Sequence, residues 1–318
     1  MTSSRTAPVV SIVTVAHNDR GGLLKGLAAL QASTEVPTEM IVVDNGSTDN
    51  TAAAVRHAFR EVSLVRRDNP LHPLAAANLG AERARAPWLL LLDPGLEPVG
   101  DAIRTLVEHA GGNPGHRLYT GRSLIPRRGH AAPSDDGLTV EGAPSLLGTV
   151  CLAASLPLEP ERLPRLDRAI GGEVPAVTPR MLLAERGFWE DLGGFDERLP
   201  AADLSARARA RGARPVLVPD AQMVSVAPAP PRRGITTTDL AERMAFAHRH
   251  WTPGRSRAAG ILLSAAALAR SVGGDPWREA WRTRAWWLSP VEAAAEAGPP
   301  ALPAVPRHLR TVPNQTRP

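Results

Sequence analysis

The sequence predicts an α/β fold in which a mixed sheet is flanked by helices, and three observations carry that prediction. Short apolar runs, typical of buried strands, alternate with helix-like segments over about the first 110 residues. The first two runs each end in a polar cluster, at His17-Asn18 and at Asp44-Asn45. The chain has 318 residues and is 43% hydrophobic, which is enough for one large α/β domain with an appendage.

The individual elements follow from the spacing of apolar residues. The predicted strands are Val9–Val15, Met40–Val43, Val62–Val65, Trp88–Leu92 and Ala213–Pro219. The predicted helices are Gly22–Ala32, Thr48–Phe59 (with Ser47 or Thr48 as its N-cap), Leu74–Arg85, Asp239–Trp251, Gly260–Val272 and Trp277–Trp287. Gly, Pro and Arg interrupt the pattern from Gly111 to Gly172, and it returns at Met181–Glu185, Phe188–Gly194 and Leu204–Arg211.

Charge and cysteine content narrow the functional class. The net charge is +5, and Lys25 is the one lysine among 37 basic residues. The arginines are scattered without interleaved aromatic residues, so we expect no nucleic-acid partner. The single cysteine, Cys151, excludes an intrachain disulfide and lies in an apolar run that favours core packing. Residues 1–8 do not resemble a signal peptide, and the longest apolar run is too short for a bilayer, so a cytoplasmic location is predicted.

The polar clusters indicate a small-molecule site, because ligands of open α/β sheets bind beyond the carboxyl ends of the strands. Asp44 at such an end can accept the N3–H of uracil or thymine. The alternative is that Asp44 stabilises the turn before the next helix. His17 follows the first strand, where a lone histidine would otherwise be unremarkable.

Six segments, taken in chain order, resemble the family 2 glycosyltransferases of the GT-A fold. The resemblance extends from about Pro8 to Val226. The segments are Val10–Asn18, Ile41–Asp49, Ala75–Gly80, Leu89–Gly95, Leu192–Arg198, and Asp203–Gly212 with Val216–Ala221 after it.

The resemblance implies sugar transfer, with inversion, from a UDP- or dTDP-sugar to a glycan, lipid or small-molecule acceptor. Cell-wall or exopolysaccharide synthesis is the implied context. The residues whose positions match the nucleotide site of the family are Ala16, His17, Asn18, Asp44, Asn45, Gly46, Asn78 and Asp93. Asn78 also has a simpler interpretation, as an asparagine on a helix surface.

Two positions that serve the family's divalent cation, Mn²⁺ or Mg²⁺, are altered. The family's Asp-x-Asp reads Asp93-Pro94-Gly95 here, and the histidine that many relatives carry after the last strand is replaced by Ser225. Such a cation would stabilise the charge on the leaving diphosphate. Asp93 and Glu97 are the remaining candidate ligands, and loop arginines could serve instead. The arginines considered are Arg122, Arg127 and Arg128.

The family's catalytic base is also altered. Alignment on Asp203 and Leu204 puts Ala201 where the family has the aspartate that deprotonates the acceptor. The remaining candidates are Asp203, Asp196 and Glu197, although Asp203 can equally be an N-cap. Loss of a positioned base typically costs about 10²–10⁴-fold in rate.

Two functions therefore remain open. One is an active glycosyltransferase, and the other is an inert module of the same fold that binds a nucleotide, a glycan or a partner protein. A dinucleotide-dependent oxidoreductase is disfavoured, because no Gly-x-Gly-x-x-Gly follows the first strand.

The predicted domain organisation has three parts. Residues 1–232 form the transferase-like domain, with a nucleotide half at about 8–110 and an acceptor half at about 111–226. Residues 233–297 form a helical extension, and the Pro-rich residues 298–318 are predicted to be disordered. The Trp- and Arg-rich helices of the extension would contact the inner face of a membrane or, alternatively, pack on the domain or on a second subunit. The sequence leaves the oligomeric state open.

Overall fold

The computed structural model describes residues 7–33, 36–125, 134–135, 139–154, 171–225, 236–271 and 277–288. The predicted linker at 227–233, the tail at 298–318, and Arg127 and Arg128 lie outside these residues. The predicted domain boundaries remain a prediction.

The strands form one large mixed sheet and one small antiparallel sheet, in the order β3-β2-β1-β4-β11-β6-β12-β5 and β10-β8, with β7 beside β6 and β9 beside β12. Their bounds are β1 Val10–Ala16, β2 Thr38–Asn45, β3 Ser63–Arg67, β4 Trp88–Leu92, β5 Leu96–Pro98, β6 Leu118–Ile125, β7 Ser134–Asp135, β8 Val140–Glu141, β9 Gly172–Glu173, β10 Ala176–Val177, β11 Met181–Glu185 and β12 Val216–Ser225.

Helices lie between the strands and after the last of them. Their bounds are α1 Arg20–Ser33, α2 Thr51–Ala58, α3 Pro73–Ala81, α4 Ala102–Gly112, α5 Leu146–Ala154, α6 Arg186–Leu192, α7 Ala202–Ala210, α8 Thr237–His250, α9 Pro253–Arg270, α10 Trp277–Arg282 and α11 Arg284–Leu288. The α/β fold class is confirmed.

Strand direction divides the sheet in two. Strands β3, β2, β1 and β4 are mutually parallel, and β11 then pairs antiparallel to β4. The register sets Ala16 opposite Asp44, so β1 and β2 end side by side. Because β11 runs against β4, its first residue, Met181, lies beside Leu92 at the end of β4. The ends of β1, β2 and β4 and the start of β11 thus share one edge.

The apolar run of β4 serves both faces of the sheet, as expected for a central strand. Leu89 and Leu91 belong to a cluster that includes Trp189 of α6, whereas Leu90 and Leu92 belong to one that includes Leu106 of α4. All four leucines are at most 3% exposed. This two-sided packing fixes the end of β4, and therefore Asp93, relative to the sheet.

Two local predictions were wrong. The residue before α2 is Asn50, in a left-handed conformation (φ 62°) and without a side-chain capping bond, so neither Ser47 nor Thr48 is the N-cap. Instead, Asp49 accepts hydrogen bonds from the backbone and hydroxyl of Thr51. The predicted helix Trp277–Trp287 is two helices, α10 and α11, separated at Thr283.

The stretch from Gly111 to Gly172 contains regular structure that the sequence pattern does not reveal, including β6 and α5. Helix α5 carries Cys151, which is 3% exposed, so its predicted core position is confirmed.

The helices α8–α11 form their own core. Trp287 is fully buried in a cluster with Met244 and Leu263, and its indole N–H donates to the carbonyl of Ala280. The other tryptophans of α10 and α11 are partly buried against the same cluster. Among the described residues, no helix combines the length and hydropathy that crossing a membrane requires.

Candidate functional site

The loops after β1 and β2 are joined by Asn18, which has a left-handed backbone (φ 53°). Its Oδ1 accepts from the Thr48 backbone N–H at 2.8 Å, and its own backbone N–H donates to Ser47 Oγ at 3.1 Å. His17 lies beside it and is exposed, with Nδ1 donating to the carbonyl of Asn45 at 2.8 Å. This network assigns Nε2 as the acceptor for the Asn18 amide. The two polar clusters thus form one rigid rim.

Asp44 is the last residue but one of β2 and is 1% exposed. Its Oδ1 accepts from the backbone N–H of Ser47, three residues on, at 3.1 Å, and so stabilises the turn that follows β2. Within the described part of the chain, Oδ2 makes no hydrogen bond. The turn interpretation therefore accounts for one carboxylate oxygen, and a role in ligand binding for the other is compatible with it.

Asn45 and Gly46 shape the loop rather than present side chains. The Asn45 amide exchanges two hydrogen bonds with the backbone of Leu71, at 2.8 and 2.9 Å. Gly46 has φ 75°, and a Cβ there would lie 3.0 Å from Pro70 N and Cδ. Only glycine meets both constraints without strain. The buried Ala16 completes the floor at the end of β1.

Asp93, one residue beyond β4, is bound by Arg180, one residue before β11. The backbone N–H of Asp93 donates to the carbonyl of Arg180, and Arg180 Nη1 donates to Asp93 Oδ2, both at 2.8 Å. Arg180 Nη2 donates to Ser225 Oγ at 2.8 Å, and Nε donates to Ser123 Oγ at 3.4 Å. The guanidinium thus spans the ends of β4 and β12 and is 14% exposed at its side chain.

These residues do not fit a divalent cation. Such an ion takes several oxygen ligands, mostly carboxylates. Here one carboxylate, Asp93, is held by a cation of the protein, while Gly95 supplies no ligand and Ser225 accepts from Arg180. Glu97 lies on β5, opposite Val224 of β12. No group of three or more acidic, His or Cys side chains within the described ranges could hold a metal.

A second feature is an open cavity of about 570 Å³ beside the loop after α6. Its lining is mostly polar: Ala75, Asn78, Leu192, Gly193, Gly194, Phe195, Asp196, Glu197, Arg198, Arg207 and Arg249. Asn78 is not an exposed surface asparagine. Its Nδ2 donates to the Phe195 carbonyl at 2.8 Å, and its Oδ1 accepts from the Phe195 backbone at 2.9 Å. Asn78 therefore fixes the wall of this cavity.

Asp203 is 1% exposed and lies inside α7, whose N-cap is Ala201, so the N-cap prediction for Asp203 was wrong. Arg207 Nε donates to its Oδ2, and His250 Nε2 lies 2.7 Å from its Oδ1. Arg249 Nε lies 3.6 Å from Oδ1. This arrangement joins α7 to α8 and encloses the carboxylate.

Asp196 and Glu197 both line the cavity but differ in their partners. Asp196 Oδ2 accepts from Arg249 at 3.0 Å, and Oδ1 accepts from the backbone N–H of Arg198. Glu197 is exposed, and within the described residues it forms no hydrogen bond or ion pair. Burial lowers the pKa of His72, and the nearby charge of Glu197 opposes that shift.

Sequence reasoning missed Arg180, Arg249 and His250. No motif marks them, because Arg180 meets Asp93 only through the pairing of β11 with β4, and the other two belong to a helix that was assigned to a separate extension. The preserved Asp-Leu pair at 203–204 drew attention to Asp203, but its partners on α8 lie more than 40 residues away.

Comparisons with known proteins agree with this architecture. Residues 11–122 match the sequence model of "Glycosyl transferase family 2". A curated relative, N-acetylglucosaminyl-diphospho-decaprenol L-rhamnosyltransferase of Mycobacterium tuberculosis, is 28% identical over 247 residues, which cover 68% of this chain and 75% of the relative. The succinoglycan biosynthesis protein ExoO of Rhizobium meliloti is 31% identical over 104 residues, 32% of this chain and 30% of that protein.

Two solved structures have a similar fold. One is the mannosyltransferase PcManGT of Pyrobaculum calidifontis with GDP-Man and Mn²⁺ (TM-score 0.54, 17% identity, covering 92% of this chain and 88% of that one). The other is GalNAc-T7 with UDP, GalNAc and Mn²⁺ (TM-score 0.59, 16% identity, covering 93% of this chain and 59% of that one). Residues 11–122 thus match the model of glycosyl transferase family 2, and the chain shares the GT-A fold of these two neighbours.

Proposed function

We propose that this glycosyltransferase takes its sugar from a UDP- or dTDP-sugar that binds at the joined ends of β1, β2 and β4. Asp44 is the observation that carries the proposal. Its buried carboxylate has one oxygen committed to the turn, and the other is suited to accept the imide N–H of a pyrimidine. The rim made by His17 and Asn18 then borders the base, and the Asp93 region faces the diphosphate.

The acceptor in this proposal occupies the cavity beside the loop that follows α6. Its lining of Asp196, Glu197, Arg198 and Arg249 suits a polar, hydroxyl-rich molecule. The name of the mycobacterial relative describes a lipid-linked diphosphate sugar as acceptor, and we propose the same class here. A glycan without the lipid is the principal alternative.

A lipid-linked acceptor would bring the protein to a membrane surface. Helices α5 and α9 pack together, and each leaves apolar side chains exposed: Leu147 (63%), Val150 (38%), Ile261 (69%) and Leu268 (51%). We include peripheral contact at the inner face of the membrane in the proposal on this ground. Flotation with anionic lipid vesicles, comparing the wild type with Leu147→Gln and Ile261→Gln, tests that part.

In this proposal the reaction is a single displacement with inversion. The acceptor hydroxyl attacks the anomeric carbon, its proton passes to a carboxylate, and the bond to the diphosphate breaks. Glu197 is the best-placed base, because Asp203 is enclosed by Arg207 and His250 and Asp196 is paired with Arg249. Glu197→Gln should then lower turnover by about 10²–10⁴-fold with little change in donor affinity.

Titration calorimetry with UDP, dTDP and GDP tests the donor class. In Asp44→Asn, the amide oxygen keeps the bond to Ser47, but the amide nitrogen replaces an acceptor with a donor. We expect pyrimidine diphosphate affinity to fall at least tenfold, about 1.4 kcal/mol. Asp220→Asn, at an exposed position of β12, is the matched control. Unchanged affinity in Asp44→Asn, or a preference for GDP, would contradict the proposal.

The second candidate function is a module that binds the nucleotide without transfer. Ala201 at the family's base position and the enclosure of Asp203 favour it. A sensitive assay of nucleotide release decides between the two. Release that depends on acceptor and disappears in Glu197→Gln supports the enzyme, whereas binding without any release supports the module.

A further inference from the structure

We propose that the guanidinium of Arg180 takes the place of the divalent cation at the donor diphosphate. The inference rests on the proposed donor class and adds to it the residue that neutralises the diphosphate. It starts from a disagreement: the fold neighbours are described with Mn²⁺, whereas the side chains that the structure describes here offer no donor set that fits a metal.

The first argument is position. The resemblance assigns three positions to the family's metal site, those of Asp93, Gly95 and Ser225. Arg180 donates to the side chains of two of them, Asp93 and Ser225, at 2.8 Å each. They lie at the ends of different strands, β4 and β12, so a group that contacts both lies between them. The positively charged guanidinium of Arg180 therefore lies where the family holds its divalent cation.

The second argument is rigidity. The backbone of Arg180 accepts from the Asp93 N–H, and the residue leads directly into β11, which pairs with β4 along its whole length. Nε is within 3.4 Å of Ser123 Oγ on β6, so three strands hold one side chain. A preorganised cation needs little rearrangement when negative charge develops on a leaving group.

The third argument is chemistry. Arginine stays protonated at any physiological pH, and its planar fork matches phosphate oxygens. Hydrogen bonds to an anion are stronger than those to a neutral hydroxyl, so a diphosphate can displace the hydroxyl of Ser225 or Ser123 from the guanidinium. The same positive charge next to Asp93 opposes the binding of a metal ion there. Arg180 thus supplies one function of the cation and disfavours the cation itself.

The experiment measures how much the diphosphate adds to nucleoside affinity. Calorimetry compares uridine with UDP, and thymidine with dTDP, in EDTA and in Mn²⁺, for wild type, Arg180→Lys and Arg180→Met. Arg214→Met, which removes an exposed arginine paired with Glu173, is the matched control. Thermal melting checks that each variant is folded.

We expect wild-type UDP or dTDP affinity to change less than tenfold between EDTA and Mn²⁺. Arg180→Met should lose 10- to 100-fold in diphosphate affinity and leave nucleoside affinity unchanged, with Arg180→Lys in between. The triple variant Arg180→Met, Gly95→Asp, Ser225→His should regain diphosphate affinity in Mn²⁺ but not in EDTA.

Either of two results would overturn this inference and leave the proposed function standing. In the first, the diphosphate raises affinity over the nucleoside equally in the wild type and in Arg180→Met. In the second, Mn²⁺ raises the affinity of the wild type for UDP or dTDP a hundredfold. In both, nucleoside binding persists, so the proposed donor site stands. Absence of binding by nucleosides and nucleoside diphosphates in the wild type would instead remove the proposed function, and this inference with it.

Discussion

Asn78 and Phe195 exchange two hydrogen bonds across 117 residues of sequence. The amide nitrogen of Asn78 donates to the Phe195 carbonyl, and its amide oxygen accepts from the Phe195 backbone N–H. The pair connects α3, in the half of the chain that would bind the nucleotide, to the loop that lines the cavity. One side chain therefore sets the position of the candidate acceptor site relative to the donor site.

Asn78→Asp tests this connection. The carboxylate keeps the acceptor for the Phe195 N–H but turns an oxygen toward the Phe195 carbonyl, where a donor is needed. We expect the free energy of unfolding to fall by about 1–3 kcal/mol. Asn113→Asp is the control, because its amide also donates to a carbonyl, that of His109, but in an exposed helix end. Urea denaturation measures the free energy of unfolding of both variants. An equal loss in Asn78→Asp and Asn113→Asp would contradict the role of Asn78 in joining the two sites.

Asp203 should prove to be a structural residue. Asp203→Ala leaves Arg207 and His250 without their buried carboxylate, and breaking a buried ion pair typically costs about 3–5 kcal/mol. Asp203→Asn, which keeps a hydrogen-bond acceptor, should cost less. Asp220→Ala provides the exposed control. A variant Asp203→Ala that is as stable as the wild type but has lost transfer would make Asp203 the base after all.

Glu242 of α8 should make stability depend on pH. Burial, with a smaller contribution from the charge of Asp239, raises the pKa of Glu242 from 4.5 to about 7. Between these values the folded state binds more protons than the unfolded state, so the stability that protonated Glu242 contributes is full below pH 4.5 and is lost as pH rises toward 7.

Glu242→Gln should therefore raise the melting temperature at pH 8, by roughly 2–6 °C, and change it little at pH 4.5. Glu279→Gln, at an exposed position of α10, is the control. A gain in Glu242→Gln that is the same at both pH values would show that charge on Glu242 is not the cause.

Ala201→Asp should increase transfer if the chain has a degenerate active site. The substitution puts a carboxylate at the residue before α7, where the resemblance expects a base. The expected gain in turnover is about 10²-fold, the lower end of general-base effects. Ala210→Asp, at the exposed end of the same helix, controls for added charge. If the wild type already turns over at about 1–10 per second, no vacancy exists and Ala201→Asp should give no gain.

The sequence predicted the nucleotide half well because its signals are local. Strands β1, β2 and β4 are centred on apolar runs, and Trp88–Leu92 and Met181–Glu185 have their predicted bounds. Helix α5 was missed because its residues lie in a stretch dominated by turn-forming residues. The pairing of Arg180 with Asp93 was out of reach, since it depends on which strands pair, and an apolar run does not specify its neighbour.

Helix α8 has a consequence for dissecting the protein. Arg249 pairs with Asp196, and His250 forms a hydrogen bond with Asp203; both aspartates belong to the preceding 225 residues. A fragment that ends at Ser225 would keep Arg207 beside the buried Asp203 but would remove its hydrogen bond from His250, and it would leave Asp196 at the cavity wall without Arg249. We therefore expect the smallest fragment that folds on its own to extend at least through His250, and a truncation before α8 to destabilise the residues that precede it.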